Sequence, residues 1–318
     1  NFTLGYQAGA IAGTNSQTLN LKGGVSAATA TIAGVEAVTV SSTGTANTLT
    51  DLVTANATSL TLTGDQNLSI SAGAGVDFDF ADAALATAVD GTVDATGLSG
   101  TLAINMNAND VVTVLGGSGA MTLGMGAGLT AADTITGGAA SDTIDVTTSE
   151  TATLALVTGV ENLQITVADI DIADGGGADN TGAVTLSGTA VSSATNFISN
   201  VTTAANGDVG TVNVTNMDNG DTVTIAAGGS DTTVAGAGAG ISLATSFATD
   251  SSSNSATVAF NGIGAVDADA SNASGFAQVE VDEVETLTLT ANTNAAGTVT
   301  TSGVEVLTAQ AATSITAT

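Results

Sequence analysis

Residues 128–145 read GLTAADTIT followed by GGAASDTID, two tandem nine-residue units with Asp133 and Asp142 in register. Such a unit sets a Gly-rich turn, an acidic side chain and a short strand at fixed offsets. The chain then turns every few residues and stacks its strands as a solenoid. The second unit departs from the pattern G-G-x-G-x-D-x-(apolar)-x only at Ala140, where glycine is expected. The first keeps Asp133 and Ile135 but has few of the glycines.

The rest of the chain carries the same rhythm of short strand, then turn. SLTLTG at 59–64, NLSIS at 67–71, VVTVL at 111–115, VTLSG at 184–188, VNVTN at 212–216, TVTIA at 222–226 and TLTLTA at 286–291 each alternate apolar residues with Thr, Ser or Asn. That is the period of a strand with one buried face. Gly, Asn and Asp bound the strands and supply left-handed or side-chain-capped turns. Forty glycines and no proline suit closely stacked turns. Helical spacing is scarce: residues 82–89 (DAALATAV) offer one or two turns, and 192–203 are a weaker candidate. No stretch reads as a linker. The expected fold is all-β: an elongated parallel β-helix or β-roll solenoid over residues 1–318, as one unit or a few coaxial segments, with Gly/Asp/Asn-rich turns and very little helix.

The formal charge is −29, from 30 acids against a single Lys22, with no Arg or His. Self-repulsion on this scale opposes a compact state unless counter-ions bind. Nucleic acid and anionic lipid are excluded as partners, because no basic surface exists to meet their phosphates. Disorder is excluded too, since 43% of residues are hydrophobic and mean hydropathy is +0.39. These are chiefly Ala, Val, Leu and Ile, side chains that fill a thin core. Divalent cations are the natural partner. Short carboxylates in Gly-rich loops suit calcium, which takes six to eight oxygen ligands in flexible geometry. No run approaches 18 apolar residues, so no transmembrane helix is expected. The start, NFTLGYQAGA, lacks an initiator Met and a basic segment, so the chain reads as a fragment or processed form.

A second motif recurs as GVEAVTV at 34–40, GVENLQI at 159–165, EVETLTL at 283–289 and GVEVLTA at 303–309. It puts Glu36, Glu161, Glu285 and Glu305 in equivalent places. Two readings stand: an outward Glu at a strand start, or a Glu that contacts calcium or a neighbouring subunit. A third recurrence, VDATGLSGTLAI at 93–104, is echoed loosely at 266–281.

Together, the Val-Glu strands, SLTLTGDQNLSI at 59–70, DATGLSGTLAI at 94–104 and the nonapeptide at 137–145 resemble the RTX-type calcium-binding surface-layer proteins of Gram-negative bacteria. The chain is similar in style to the Caulobacter surface-layer protein family. That resemblance implies export by type I secretion, folding on extracellular calcium, and tiling of the cell surface as a two-dimensional lattice of identical subunits. It also implies attachment to outer-membrane lipopolysaccharide through a region outside this chain. The sixth-position Asp of such repeats binds calcium between stacked turns, which nominates Asp133 and Asp142, with Gly137 and Gly138 as carbonyl donors. Asp145 holds the ninth position.

Beyond the repeat, Asp110 in NANDVVTVLGG has the same Asp-x-apolar spacing. Asp218, Asp221 and Asp231 form a second candidate cluster, and Asp77, Asp79 and Asp82 a third. Asp169, Asp171, Asp174 and Asp179 form a fourth. The alternating DFD and DID sequences set two carboxylates on one strand face, where like charges repel without a cation. In GGSGAMTL at 116–123, Met121 replaces the acid, so that turn is expected to bind no metal.

Enzyme activity is not expected. Sugar-acid lyases need a base or cation to handle protons and charge, and only Lys22 is offered; sugar platforms need aromatics, and Trp is absent. The rival class is a repeat segment of a secreted adhesin or extracellular filament.

Overall fold

The structure is a computed structural model. It describes residues 2–5, 13–26, 28–54, 56–70, 78–80, 90–106, 111–126, 129–130, 132–148, 156–167, 182–187, 196–201, 210–217, 219–226, 241–247, 253–261, 277–281, 284–292, 304–309 and 314–317. Every strand pairing among them is parallel and no helix is present, so the protein is a β-solenoid. It forms two compact units: Asn1–Val146 with Ala155–Glu161, and Thr147–Leu154 with Asn162–Thr318.

In the first unit successive strands go alternately to two sheets, apart from the short Phe78–Asp79, which follows Leu68–Ile70 into the same sheet. One sheet orders Phe2–Leu4, Ala28–Ile32, Asn47–Thr54, Leu68–Ile70, Leu102–Asn105, Met121–Gly126 and Thr143–Thr148. The other orders Ser16–Lys22, Ala37–Thr43, Ser59–Gly64, Asp90–Leu98, Val111–Leu115, Thr134–Thr136 and Leu156–Thr158. The pairing register measures each coil. Ser16 lies beside Ala37, and Ala37 beside Ser59. Asp90 lies beside Val111, Thr113 beside Thr134, and Thr134 beside Leu156. Corner hydrogen bonds between successive coils span 21 or 22 residues, the same step.

The alternation of apolar and hydroxyl residues explains the core. Inward positions stack in register from coil to coil. Val38, Leu60, Val93, Val114, Ile135 and Val157 make one ladder. Leu49, Ile70, Ile104, Leu123 and Ile144 make the facing one. All are buried. Each such side chain contributes roughly 1.5–3 kcal/mol of hydrophobic stabilisation.

One coil takes in more chain: Ser59 lies beside Thr92. Bonds from Thr101 to Asn67 and from Ser99 to Gly64 cross it over 34 and 35 residues. The extra length feeds two aromatics into the core. Phe78 pairs with Leu52 and bridges to Met106, and its ring meets that of Phe80 edge-on at 4.8 Å. Phe80 needs a bare backbone beneath it. A Cβ on Gly91 would fall 2.3 Å from its ring.

The second unit is built the same way with longer coils. Asn162–Val167, Asn196–Val201, Thr222–Ala226, Ser255–Asn261, Thr286–Asn292 and Ser314–Ala317 follow one another in one sheet. Gly182–Ser187, Gly210–Met217, Ile241–Phe247, Ala277–Val281 and Val304–Ala309 do so in the other. The step varies: Asn196 lies beside Thr222, whereas more chain separates Ile241 from its neighbour Ala277. The helical expectation for residues 192–203 is corrected here, since Asn196–Val201 is a strand. Phe197, Ile198 and Val201 favour extended backbone, and strands pair with it on both sides. The other helical candidate, 82–89, lies outside the described residues.

Candidate functional site

The corners of the coils carry the polar chemistry. A backbone that leaves one strand for the next exposes N–H groups that the ladder does not satisfy. Here a side chain one coil away accepts them. Asn47 Oδ1 takes the N–H of Val25 and Asn56 Oδ1 that of Gly34, each 22 residues back.

The repeated Val-Glu motif is the strongest version of this device. The N–H of Asn15 donates to Glu36 Oε2 at 2.6 Å, while the N–H groups of Glu36 and Ala37 donate to the Asn15 carbonyl. Asn254 and Glu285 repeat the arrangement: Asn254 N–H donates to Glu285 Oε2 at 2.7 Å, and the N–H groups of Glu285 and Thr286 return to Asn254 O. The N–H of Asp142 donates to Glu161 Oε2 at 2.8 Å. Each of these Glu residues thus clamps its coil to the one before. An Asn or Asp lies one coil upstream of each, at spacings of 21, 19 and 31 residues that only the strand register reveals.

Asp133, Asp142 and Asp221 share a signature, Asp-Thr-(Ile or Val), and are 1%, 0% and 5% exposed. Asp133 Oδ1 accepts from Val112 N–H, 21 residues back, and Oδ2 accepts from Thr130 N–H, both at 2.7 Å. Asp142 Oδ1 accepts from Met121 N–H, also 21 back, and Oδ2 from Gly138 N–H. The turn where Met121 replaces the acid is therefore served by Asp142 of the next coil. Asp133 heads Thr134–Thr136 and Asp142 heads Thr143–Thr148, strands of different sheets. The two nonapeptides are successive halves of one coil and hold separate corners.

The corner at Asp142 brings backbone carbonyls close to its glycines. A Cβ on Gly137 would fall 1.7 Å from the Gly159 carbonyl oxygen and 2.6 Å from Asp142 Oδ2. A Cβ on Gly138 would fall 1.7 Å from Gly117 O. The Gly-Gly pair is what lets the carbonyls of the preceding and following coils approach this turn so closely. Burial pushes the Asp142 carboxyl above its ordinary range. The N–H groups of Gly138 and Met121 pull it back, and the Glu161 carboxylate raises it further. Asp145 is raised by burial alone, and its Oδ1 is buried without a hydrogen-bond partner among the described residues.

An all-oxygen donor set of carboxylates and turn carbonyls fits a hard cation such as calcium. Among the described residues no three acidic side chains converge, so any ion there draws on backbone oxygens or on further side chains. Asp110, Asp218, Asp231, Asp77, Asp82 and the cluster at 169, 171, 174 and 179 lie outside the described residues; Asp79 ends the short strand Phe78–Asp79. No family model matches the chain, and neither the curated proteins nor the solved structures contain a match.

Proposed function

We propose that this solenoid is a structural protein of a bacterial surface, folded and assembled under the control of calcium. It is exported by type I secretion and forms a two-dimensional layer of identical subunits outside a Gram-negative cell. The fold supports a repeat-built structural role. The observation that carries the calcium reading is the Asp142–Glu161 corner. Where the matching clamps use a neutral Asn15 or Asn254 against Glu, this one sets a fully buried Asp against Glu. The chain has one cationic side chain to offset 30 acids. A buried carboxylate beside a second, half-buried one is costly unless a cation or proton joins it. Asp145, in the strand that Asp142 heads, has a buried unpartnered oxygen of its own among the described residues.

In this mechanism scarce cytosolic calcium leaves the repulsive chain unfolded and exportable. Extracellular sites of this class bind at roughly 10⁻⁴–10⁻³ M. At about 10 mM calcium each occupied site would add on the order of 1.4–2.7 kcal/mol. Calorimetry with negative-stain microscopy tests the reading, in millimolar calcium and again after chelation. A melting temperature that falls on chelation, with ordered sheets that vanish, is the expected result. Unchanged melting overturns the calcium role. Fibres or dispersed particles in calcium overturn the surface layer in favour of a filament or adhesin segment.

A further inference from the structure

Copies of a chain with a formal charge of −29 repel one another wherever acid meets acid. Three strands at one edge of a first-unit sheet escape this, up to Asp94 of the next strand, which lies beside Thr61. The outward positions of Ser16–Lys22, Ala37–Thr43 and Ser59–Gly64 carry Ser, Thr, Asn, Ala and Lys, and no acid. Thr18, Thr39 and Thr61 stand side by side across the three strands. Lys22, the chain's sole basic side chain, is exposed at the end of the outermost strand, and no carboxylate among the described residues pairs with it. Its stem lies beside Gly44 of the next coil, 3.6 Å from where a Cβ would stand. Beyond Ser16–Lys22 no further strand of that sheet is present among the described residues.

Resting on the self-assembly reading above, we propose that this hydroxyl face, with Lys22 at its corner, receives an acidic surface of a second copy. The contact is heterologous, a neutral-to-positive patch against a different, negative one. Contacts of that kind propagate instead of closing into a dimer, as a lattice requires. Flat rows of Thr offer hydroxyls to an approaching carboxylate, and charge complementarity at Lys22 sets orientation and encounter rate.

The test compares the wild-type chain with Lys22→Glu, Lys22→Arg and Thr39→Glu in millimolar calcium. Pelleting gives the protein concentration at which sheets form, and melting temperature reports the fold. Lys22→Glu and Thr39→Glu are expected to raise that concentration roughly tenfold with melting unchanged, because like charges then meet at the contact. Lys22→Arg should assemble as wild type. If wild type forms sheets and both Glu variants form them at the same concentration, the assignment of this face is wrong while self-assembly stands. If wild type forms no sheets, self-assembly itself fails and this contact with it. Should Lys22→Glu melt early, Thr39→Glu alone decides by the same two readouts.

Discussion

The two units solve one problem with different economy of chain. In the first, corner bonds reach the neighbouring coil across 21 or 22 residues at most steps. In the second, the equivalent bonds at Glu285 and Asn219 span 31 and 36 residues. Yet the Glu clamp occurs in both, across 21 residues at Glu36 and 31 at Glu285. The clamp therefore depends on where a corner stands in the stack and not on how much chain precedes it. Extra residues are tolerated between strands because loop length adds entropy only slowly. What the short coil gains is tightness at the turns: glycine backbone is overlaid by carbonyls of the neighbouring coils.

The largest expected effect probes that tightness. Gly137→Ala puts a methyl group where Gly159 O and Asp142 Oδ2 already stand. It should destabilise the first unit by more than about 4 kcal/mol, in the exceptional range for one substitution. Gly220→Ala in the second unit meets nothing within 4 Å and carries only the strain of φ +97°. It should cost about 1–2 kcal/mol. Equal losses in denaturant melts would refute the idea that close turn stacking separates the units.

Core truncation comes next. Leu60→Ala in the first unit and Leu287→Ala in the second each empty a fully buried position between ladder neighbours. Each should cost about 2–5 kcal/mol. If Leu287→Ala proves much cheaper, the longer coils relax around a cavity that the short ones cannot fill.

Much of this was legible in the sequence because strand alternation and turn residues are local. SLTLTG, VVTVL, TVTIA and TLTLTA all lie in strands, with the expected inward residues buried where burial is described except Leu289, which is half-buried. The turn at Gly137 and Gly138 was legible for the same reason. Two things were not. Asn196–Val201 became a strand through pairing with Asn162–Val167 on one side and Thr222–Ala226 on the other, information absent from a local window. The clamps were hidden because Glu36 and Asn15 are linked by a coil length that only the strand register reveals. Once that step is known, the acceptor at a corner and the N–H it serves fall at predictable offsets.

The clamps supply a finer comparison. Gln keeps an acceptor oxygen but loses the charge that strengthens the bond. Glu36→Gln and Glu285→Gln should each cost on the order of 1 kcal/mol. Glu161→Gln should behave oppositely when calcium is chelated, because it removes the carboxylate that faces Asp142 while keeping the bond to Asp142 N–H. A loss at Glu161→Gln equal to that at Glu36→Gln would mean the acid pair is no burden, and the argument for a cation there would collapse.

Asp142 at this corner and Asp145 in the strand that it heads predict an unusual pH response, expected as a melting shift of a few degrees. Asp142 and Asp145 have carboxyl groups raised by burial above the ordinary 3.8. A carboxyl raised in the folded state holds its proton more tightly there than in the unfolded chain. Its charge therefore weighs against folding at neutral pH, and that penalty fades as pH falls through the folded value toward 3.8. In chelator, melting of the first unit should rise as pH is lowered from 7 into this window. In millimolar calcium the slope should reverse, because protons displace the ion that stabilises the same carboxylates. Glu161→Gln should flatten the rise in chelator, since one of the two influences raising Asp142 is gone. Calorimetry of both proteins between pH 7 and about 4, with and without calcium, separates these outcomes; slopes of the same sign in both conditions would show that calcium and protons do not compete at this corner.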